Sequence, residues 1–262
     1  MPPKTVKRKP LKGRTILVTQ AESQSERFTS LLKRKGARVL VCPTIEIHPY
    51  KDPAHQDIFK QLEAYDWVVF MSQNAVHYFF ERLKELNLKK TKLRGKRVAA
   101  LGKTTREALK SNKLRVHLVP TIYKSESLAS AFKGKIEDKR FLIVSAREGR
   151  TVLHEALKNK GALVDSLHLY ETVMPTHHAA SLMKYVCEER IDAVTFTSPS
   201  TVNNFVKLLN PNRDLRRHLE TLIIATLGDV TAEAVENHGL RVRVRPSEFT
   251  IPAFVNTLSR EL

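Results

Sequence analysis

Five short stretches of this sequence combine small, hydroxylated and basic residues in a way that suits anion binding. They are Ser72-Gln-Asn74, Gly102-Lys-Thr-Thr105, Ser145-Ala-Arg-Glu-Gly-Arg150, Ser198-Pro-Ser-Thr201 and Gly228-Asp-Val-Thr231. Each follows a brief apolar run and precedes a helical pattern, so each is predicted to open a helix. The first turn of a helix presents N–H groups without partners and the positive end of its dipole, which suit carboxylates or phosphates. Ser and Thr at these places also cap helices. Ser72, Thr105, Ser198 and Thr231 therefore have two readings: caps alone, or caps beside a bound anion. Recurrence of the turns weights the set toward binding. The candidates are Ser72, Gln73, Asn74, Gly102, Lys103, Thr105, Arg147, Arg150, Ser198, Ser200, Thr201, Gly228 and Thr231. Arg147 and Arg150 fit either a forked clamp on carboxylates or plain surface charge. Tyr170, on a half-exposed strand, fits either packing with a wet hydroxyl or a role in chemistry.

Other chemistries lack their signatures. There is no GxGxxG and no GxxxxGK[ST], which disfavours dinucleotide and P-loop chemistry. There is no GxSxG nucleophile turn. His177-His178 has the form of a metal corner, but no acidic or Cys partner lies at ligand spacing in sequence, so it reads as a solvated loop and no metal is expected. Cys42 and Cys187 are the two cysteines and form no CxxC pair, which argues against a disulfide scaffold or a zinc site and points to the cytoplasm.

The elements that position these turns come in duplicate. Asp66, Val68, Phe70, Ser72, Val76, Phe79 and Leu83 recur as Asp192, Val194, Phe196, Ser198, Val202, Phe205 and Leu209, an offset of 126. Val98-Ala-Ala-Leu-Gly-Lys-Thr-Thr105 recurs at the same offset as Ile224-Ala-Thr-Leu-Gly-Asp-Val-Thr231, and Pro120 recurs as Pro246. A weaker match joins Thr15-Ile-Leu-Val-Thr19 to Phe141-Leu-Ile-Val-Ser145; within it the offset slips to 125, where Lys35-Gly-Ala37 meets Lys160-Gly-Ala162. The chain thus reads A, B, A′, B′.

Each unit opens with a short β-branched apolar run, read as a strand buried on both faces, followed by a turn and an amphipathic helix. That pattern predicts an α/β fold of two related, doubly wound parallel-sheet domains, with about ten strands in all. Two segments, 43–49 between two prolines and 167–175 ending at Pro175, alternate apolar and polar residues and read as connecting strands. Two partitions fit. In the favoured one, residues 13–42 plus 176–262 form a discontinuous first domain and residues 50–166 form the second. The alternative is a single split near Lys139.

Residues 1–12 read as a basic disordered arm; no apolar core follows to make a secretory signal. No apolar run approaches the length of a membrane span. The net charge of +18 fits solubility, or attraction to a polyanion such as nucleic acid or a polycarboxylated small molecule. Single-strand binders interleave aromatics with basic residues, and the arm has none.

Taken together, Ile16-Leu-Val-Thr19, Pro43-Thr-Ile-Glu-Ile47, Phe70-Met-Ser-Gln-Asn-Ala75, Ala100-Leu-Gly102 with Thr105, Tyr170-Glu-Thr172, Phe196-Thr-Ser-Pro-Ser200, Leu227-Gly228 with Thr231, and Pro246 with Thr250 resemble the uroporphyrinogen-III synthases. The resemblance covers nearly the whole chain after the arm. It implies a two-domain fold joined by a two-stranded linker, with a cleft between the domains. It implies cyclisation of hydroxymethylbilane to uroporphyrinogen III, with inversion of the last pyrrole and loss of water, without cofactors; nothing in the sequence suggests more than a monomer. It further implies that backbone N–H groups and hydroxyls hold the substrate's carboxylates and that Tyr170 is the general acid. Gln20 stands where many members carry Arg, and Met71 where Thr is common. The runner-up is a non-catalytic anion-binding or regulatory module on the same fold.

Overall fold

The computed structural model describes residues 9–149 and 151–262. The chain divides into two compact units. The first runs to Glu46 and resumes over Val173–Leu262; the second is Ile47–Thr172. The described residues hold ten strands: β1 (Thr15–Val18), β2 (Arg38–Val41), β3 (Glu46–Pro49), β4 (Trp67–Phe70), β5 (Arg97–Ala100), β6 (Arg140–Ala146), β7 (Leu163–Val173), β8 (Ala193–Phe196), β9 (Ile223–Thr226) and β10 (Val242–Val244).

They form two five-stranded sheets. The first unit has the order β10-β9-β8-β1-β2, the second β3-β7-β6-β4-β5. Counted along its own unit, the first sheet is 2-1-3-4-5, the doubly wound order that reverses direction between its first and third strands. The second contains the same neighbours, β7-β6-β4-β5. The counterpart of the Val244↔Ala225 pairing in β10 is there a single parallel bridge, Ala99↔Leu118, and β3 takes the opposite edge instead. The segments predicted as connecting strands, 43–49 and 167–175, contribute β3 and the end of β7, which are neighbours.

Each sheet separates two cores because neighbouring residues of a strand face opposite ways. In the second unit, Val68, Phe70, Val98, Ala100, Leu142 and Val144 meet the helix Gln73–Glu85 through Val76, Phe79 and Leu83. Val69, Ala99, Phe141 and Ile143 meet Leu128, Leu153 and Leu157 on the other face. The first unit repeats the arrangement: Leu17, Val194, Phe196 and Ile224 pack with Val202 and Phe205, while Ile16, Val18 and Ala225 pack with Phe28 and Phe254. Each Val, Leu, Ile or Phe among them contributes about 1.5–3 kcal/mol when fully buried, which explains strands only four residues long.

The duplicated aspartates hold the sheets at the N-terminal ends of the strands. Asp66 Oδ2 accepts the Arg140 N–H at 2.9 Å, and Asp192 Oδ2 accepts the Thr15 N–H at 2.8 Å. Register refines the repeat. β4 pairs Trp67 with Phe141, and β8 pairs Ala193 with Ile16. The first strand of the repeat therefore aligns at 125 throughout, with no internal slip, and Gln20 corresponds to Ser145.

The basic arm, expected over residues 1–12, is corrected where it is described. Leu11 is fully buried against Ile16, Phe28 and Phe254, and its N–H bonds the Lys35 carbonyl at 3.0 Å. One apolar side chain in a basic segment suffices to anchor it. Residues 1–8 lie outside the described residues. No helix among the described residues is long and apolar enough to cross a membrane.

Candidate functional site

All five turns lie between a strand and a helix as expected; in four the named Ser or Gly is the cap, whereas the stretch from Ser145 leads to the helix Val152–Lys158 with Thr151 at the cap position. Ser72 precedes the helix Gln73–Glu85 with extended backbone, and its Oγ accepts the Ala75 N–H at 3.0 Å. Ser198 precedes Pro199–Leu209 in a reciprocal capping box: Ser198 Oγ accepts from Thr201 N–H and the Thr201 hydroxyl accepts from Ser198 N–H, both at 3.3 Å. Ser200 Oγ lies 3.0 Å from Ser198 Oγ. Gly102 and Gly228 precede Lys103–Ser111 and Asp229–Asn237 without any side-chain cap, so the N–H groups of these two helix starts face no competing hydroxyl.

The structure separates these candidates by burial. Thr105, Thr201 and Thr231 are buried, so their hydroxyls are closed to solvent. Gln73 and Lys103 are exposed, and Asn74 is half-buried. Arg147 is exposed but committed: its Nη1 pairs with Glu171 at 3.0 Å and its guanidinium lies 4.7 Å from the Tyr50 ring. Arg150 lies outside the described residues. The two glycine turns also differ in charge. Lys103 follows Gly102, whereas Asp229 follows Gly228 and pairs with Arg245 at 2.6 Å. The first helix start is electrostatically the more favourable to an anion, because the second places a carboxylate in its first turn.

Tyr170 comes to the same place as Ser72. The two hydroxyl oxygens are 2.7 Å apart, though 98 residues separate them in sequence. Irregular pairing produces this. β6 and β7 pair Ser145 with His168, then Ala146 with Tyr170, so β7 carries one extra residue. Such a bulge re-aims the following side chain. Leu169 and Tyr170, though consecutive, consequently join the same core. The Tyr170 ring stacks on Tyr78 at 5.6 Å, and the Tyr78 hydroxyl donates to the Ile47 carbonyl at 3.0 Å. Burial pushes the Tyr170 phenol above the ordinary tyrosine range, the Ser72 hydrogen bond pulls it back, and Glu148 adds to the rise.

Two residues beside the glycine turns, one in each unit, escape motif reasoning. Tyr123 and Phe249 are exposed by 56% and 57%, unusual for large aromatics. Each ring lies against a capping glycine: a Cβ on Gly102 would stand 3.5 Å from Tyr123, and one on Gly228 3.6 Å from Phe249. They are equivalent at the offset of 126, three residues beyond Pro120 and Pro246, so extending the repeat past those prolines would have found them. The His177-His178 pair also gains what sequence spacing denied it: Glu46 Oε1 lies 3.3 Å from His177 Nε2.

Residues 26–256 match the family model described as uroporphyrinogen-III synthase HemD. A putative uroporphyrinogen-III synthase of Methanothermobacter thermautotrophicus is 30% identical over 93% of this chain and 97% of its own length. The uroporphyrinogen-III synthase of Chlorobaculum parvum is 29% identical over 95% and 99%. Among solved structures, a mutant uroporphyrinogen III synthase from Thermus thermophilus superposes with a TM-score of 0.69 at 20% identity, covering 95% of this chain and 98% of that one. The Helicobacter pylori protein gives 0.61 at 17% identity, covering 93% and 97%. At these identities the structural matches establish the fold.

Proposed function

This chain belongs to the uroporphyrinogen-III synthase family, and we propose that it closes hydroxymethylbilane to uroporphyrinogen III with Tyr170 as the general acid. The reaction inverts the last pyrrole and releases one water. Departure of the terminal hydroxyl, assisted by a proton, leaves an azafulvene cation. The substituted carbon of the last ring attacks it to give a spiro intermediate, which fragments and recloses with that ring reversed. A proton lost on rearomatisation balances the one donated. The pyrroles supply the electron pairs, so the protein's part is to fold the chain, exclude unproductive closure and assist hydroxyl departure.

The observation that supports Tyr170 in this role is its bond to Ser72. Ser72 Oγ already accepts from Ala75 N–H, so its own proton is available to Tyr170. Donated that way, it leaves the phenol proton directed elsewhere and stabilises the phenolate formed by transfer. A phenol whose pKa lies above the ordinary range is fully protonated at neutral pH, as an acid must be.

The substrate's eight carboxylates suit the backbone N–H groups after Ser72, Gly102, Ser198 and Gly228, and the +18 charge suits their long-range attraction. Tyr123 and Phe249 suit stacking with pyrrole rings whose carboxylates reach the adjacent glycine turns. In this reading the enzyme is a lyase that works as a monomer in the cytoplasm and needs no cofactor for ring closure. The test is an isomer-resolved assay with hydroxymethylbilane. Formation of the inverted isomer in proportion to protein supports the reading; the uninverted isomer alone at every protein concentration overturns it.

A further inference from the structure

We propose that Glu46, His177 and His178 form a binding site for a transition-metal dication such as Zn2+. Glu46 Oε1 lies 3.3 Å from His177 Nε2 and 3.8 Å from His178 Nε2, and the three donor atoms lie within 4.8 Å of one another. A tetrahedral ion with bonds of about 2.0–2.1 Å holds its ligand atoms roughly 3.3–3.4 Å apart. One donor pair already has that spacing and another is within about half an ångström of it. Small side-chain rotations close the rest, since His177 is exposed and the other two side chains are half-buried.

The backbone supports the arrangement. The histidines sit in the tight turn Thr176–His178, just before the helix Ala179–Cys187, with ring centroids 4.3 Å apart. The buried Cys42 thiol approaches the His178 carbonyl at 3.9 Å. Two imidazoles and one carboxylate favour Zn2+, Co2+, Ni2+ or Cu2+ over the oxygen-seeking Mg2+ and Ca2+. The exposed side of His177 leaves room for water to complete the shell. The competing description is an ion pair of protonated imidazole with Glu46. It uses the same distances but requires no affinity for a metal.

The position suggests what the ion does. Glu46 is the last residue of the first unit before the chain leaves it, and His177 and His178 follow shortly after its return at Val173. A metal on these three side chains closes the 130-residue excursion between Glu46 and His177 at its neck, and clips that close long loops are the ones that most restrict the unfolded chain. The site is distinct from Tyr170 and independent of the ring-closure reading.

Calorimetric titration of the full chain with Zn2+ and with Mg2+ tests the proposal. One Zn2+ per chain is expected, bound far more tightly than Mg2+. Glu46→Gln, His177→Ala and His178→Ala should each weaken Zn2+ by about tenfold or more, since even partners one step removed from a metal typically carry about 10–100-fold. Cys187→Ser and His238→Ala should leave it unchanged. Chelator should lower the melting temperature of the native chain but not that of Glu46→Gln, which keeps the reading independent of any folding defect in the histidine variants. Equal affinity in native and variant chains, or Zn2+ binding no tighter than Mg2+, overturns the proposal in favour of the ion pair.

Discussion

The hydroxyls of Ser72 and Tyr170 lie 2.7 Å apart, joining the first turn of one helix to the end of the strand two places away in the sheet. The same Ser72 oxygen caps its helix through Ala75 N–H. One oxygen thus serves a structural and a chemical partner, and separate variants distinguish the two.

Tyr170→Phe keeps the ring, its stack on Tyr78 and its place in the core, and removes only the proton donor. The inverted-isomer rate is expected to fall by roughly 10²-fold, the lower end of what a positioned general acid supplies, with the melting temperature nearly unchanged. Because closure without the enzyme gives the uninverted product, the isomer ratio shifts toward it. Full activity in the variant removes the acid assignment.

Ser72→Ala acts on both partners. Loss of the cap is expected to cost about 1 kcal/mol of stability. Loss of the bond to Tyr170 removes a contribution that lowers the phenol's pKa, so that pKa rises further. Tyrosinate absorbance followed against pH should therefore show Tyr170 ionising later in Ser72→Ala than in the native chain. An earlier ionisation contradicts the bond as described.

Tyr123→Ala and Phe249→Ala test the aromatic walls. Each should raise KM by roughly 2–10-fold, corresponding to about 0.5–1.5 kcal/mol for an aromatic contact, and change the melting temperature little because both rings are half exposed. The double variant should show the product of the two effects. A loss of stability without a change in KM assigns the rings to packing.

The two thiols should differ sharply. Burial pushes Cys42 up to about 11, whereas Cys187 is exposed. A thiol reagent is expected to modify one cysteine in the folded chain and two after denaturation. The raised Cys42 value also carries a sign. The folded state holds this proton more tightly than the unfolded one, so the associated stability is complete below about pH 9 and is lost as the pH rises through about 11. Cys42→Ala should flatten stability against pH over that window.

What the sequence disclosed depended on locality. The duplicated turns at Ser72 and Ser198, and at Gly102 and Gly228, were legible because strand, cap and helix are contiguous, and local chemistry decides them. The paired cores were legible because alternation along short strands is itself a sequence pattern. Tyr170 was legible only by resemblance. Its orientation depends on one extra residue in β7 relative to β6, a property of pairing that no single strand displays. The bond to Ser72 and the approach of Glu46 to His177 join residues far apart in sequence, and spacing rules cannot see them. Leu11 was missed because charge dominated its segment, although burial answers to a single side chain.

The sheet orders have a consequence for inheritance. β1 and β2 complete a sheet with β8, β9 and β10, while β3, β4 and β5 complete one with β6 and β7. Cut near Lys139, the chain yields two pieces, and each holds parts of both sheets and the whole of neither. A single ancestral half, holding one A and one B unit, could have closed one such sheet on itself, or two by trading strands with a second copy; the present pairing is the traded one. Tandem fusion of the gene would have made that exchange permanent, so the present chain carries the strand order of a swapped pair.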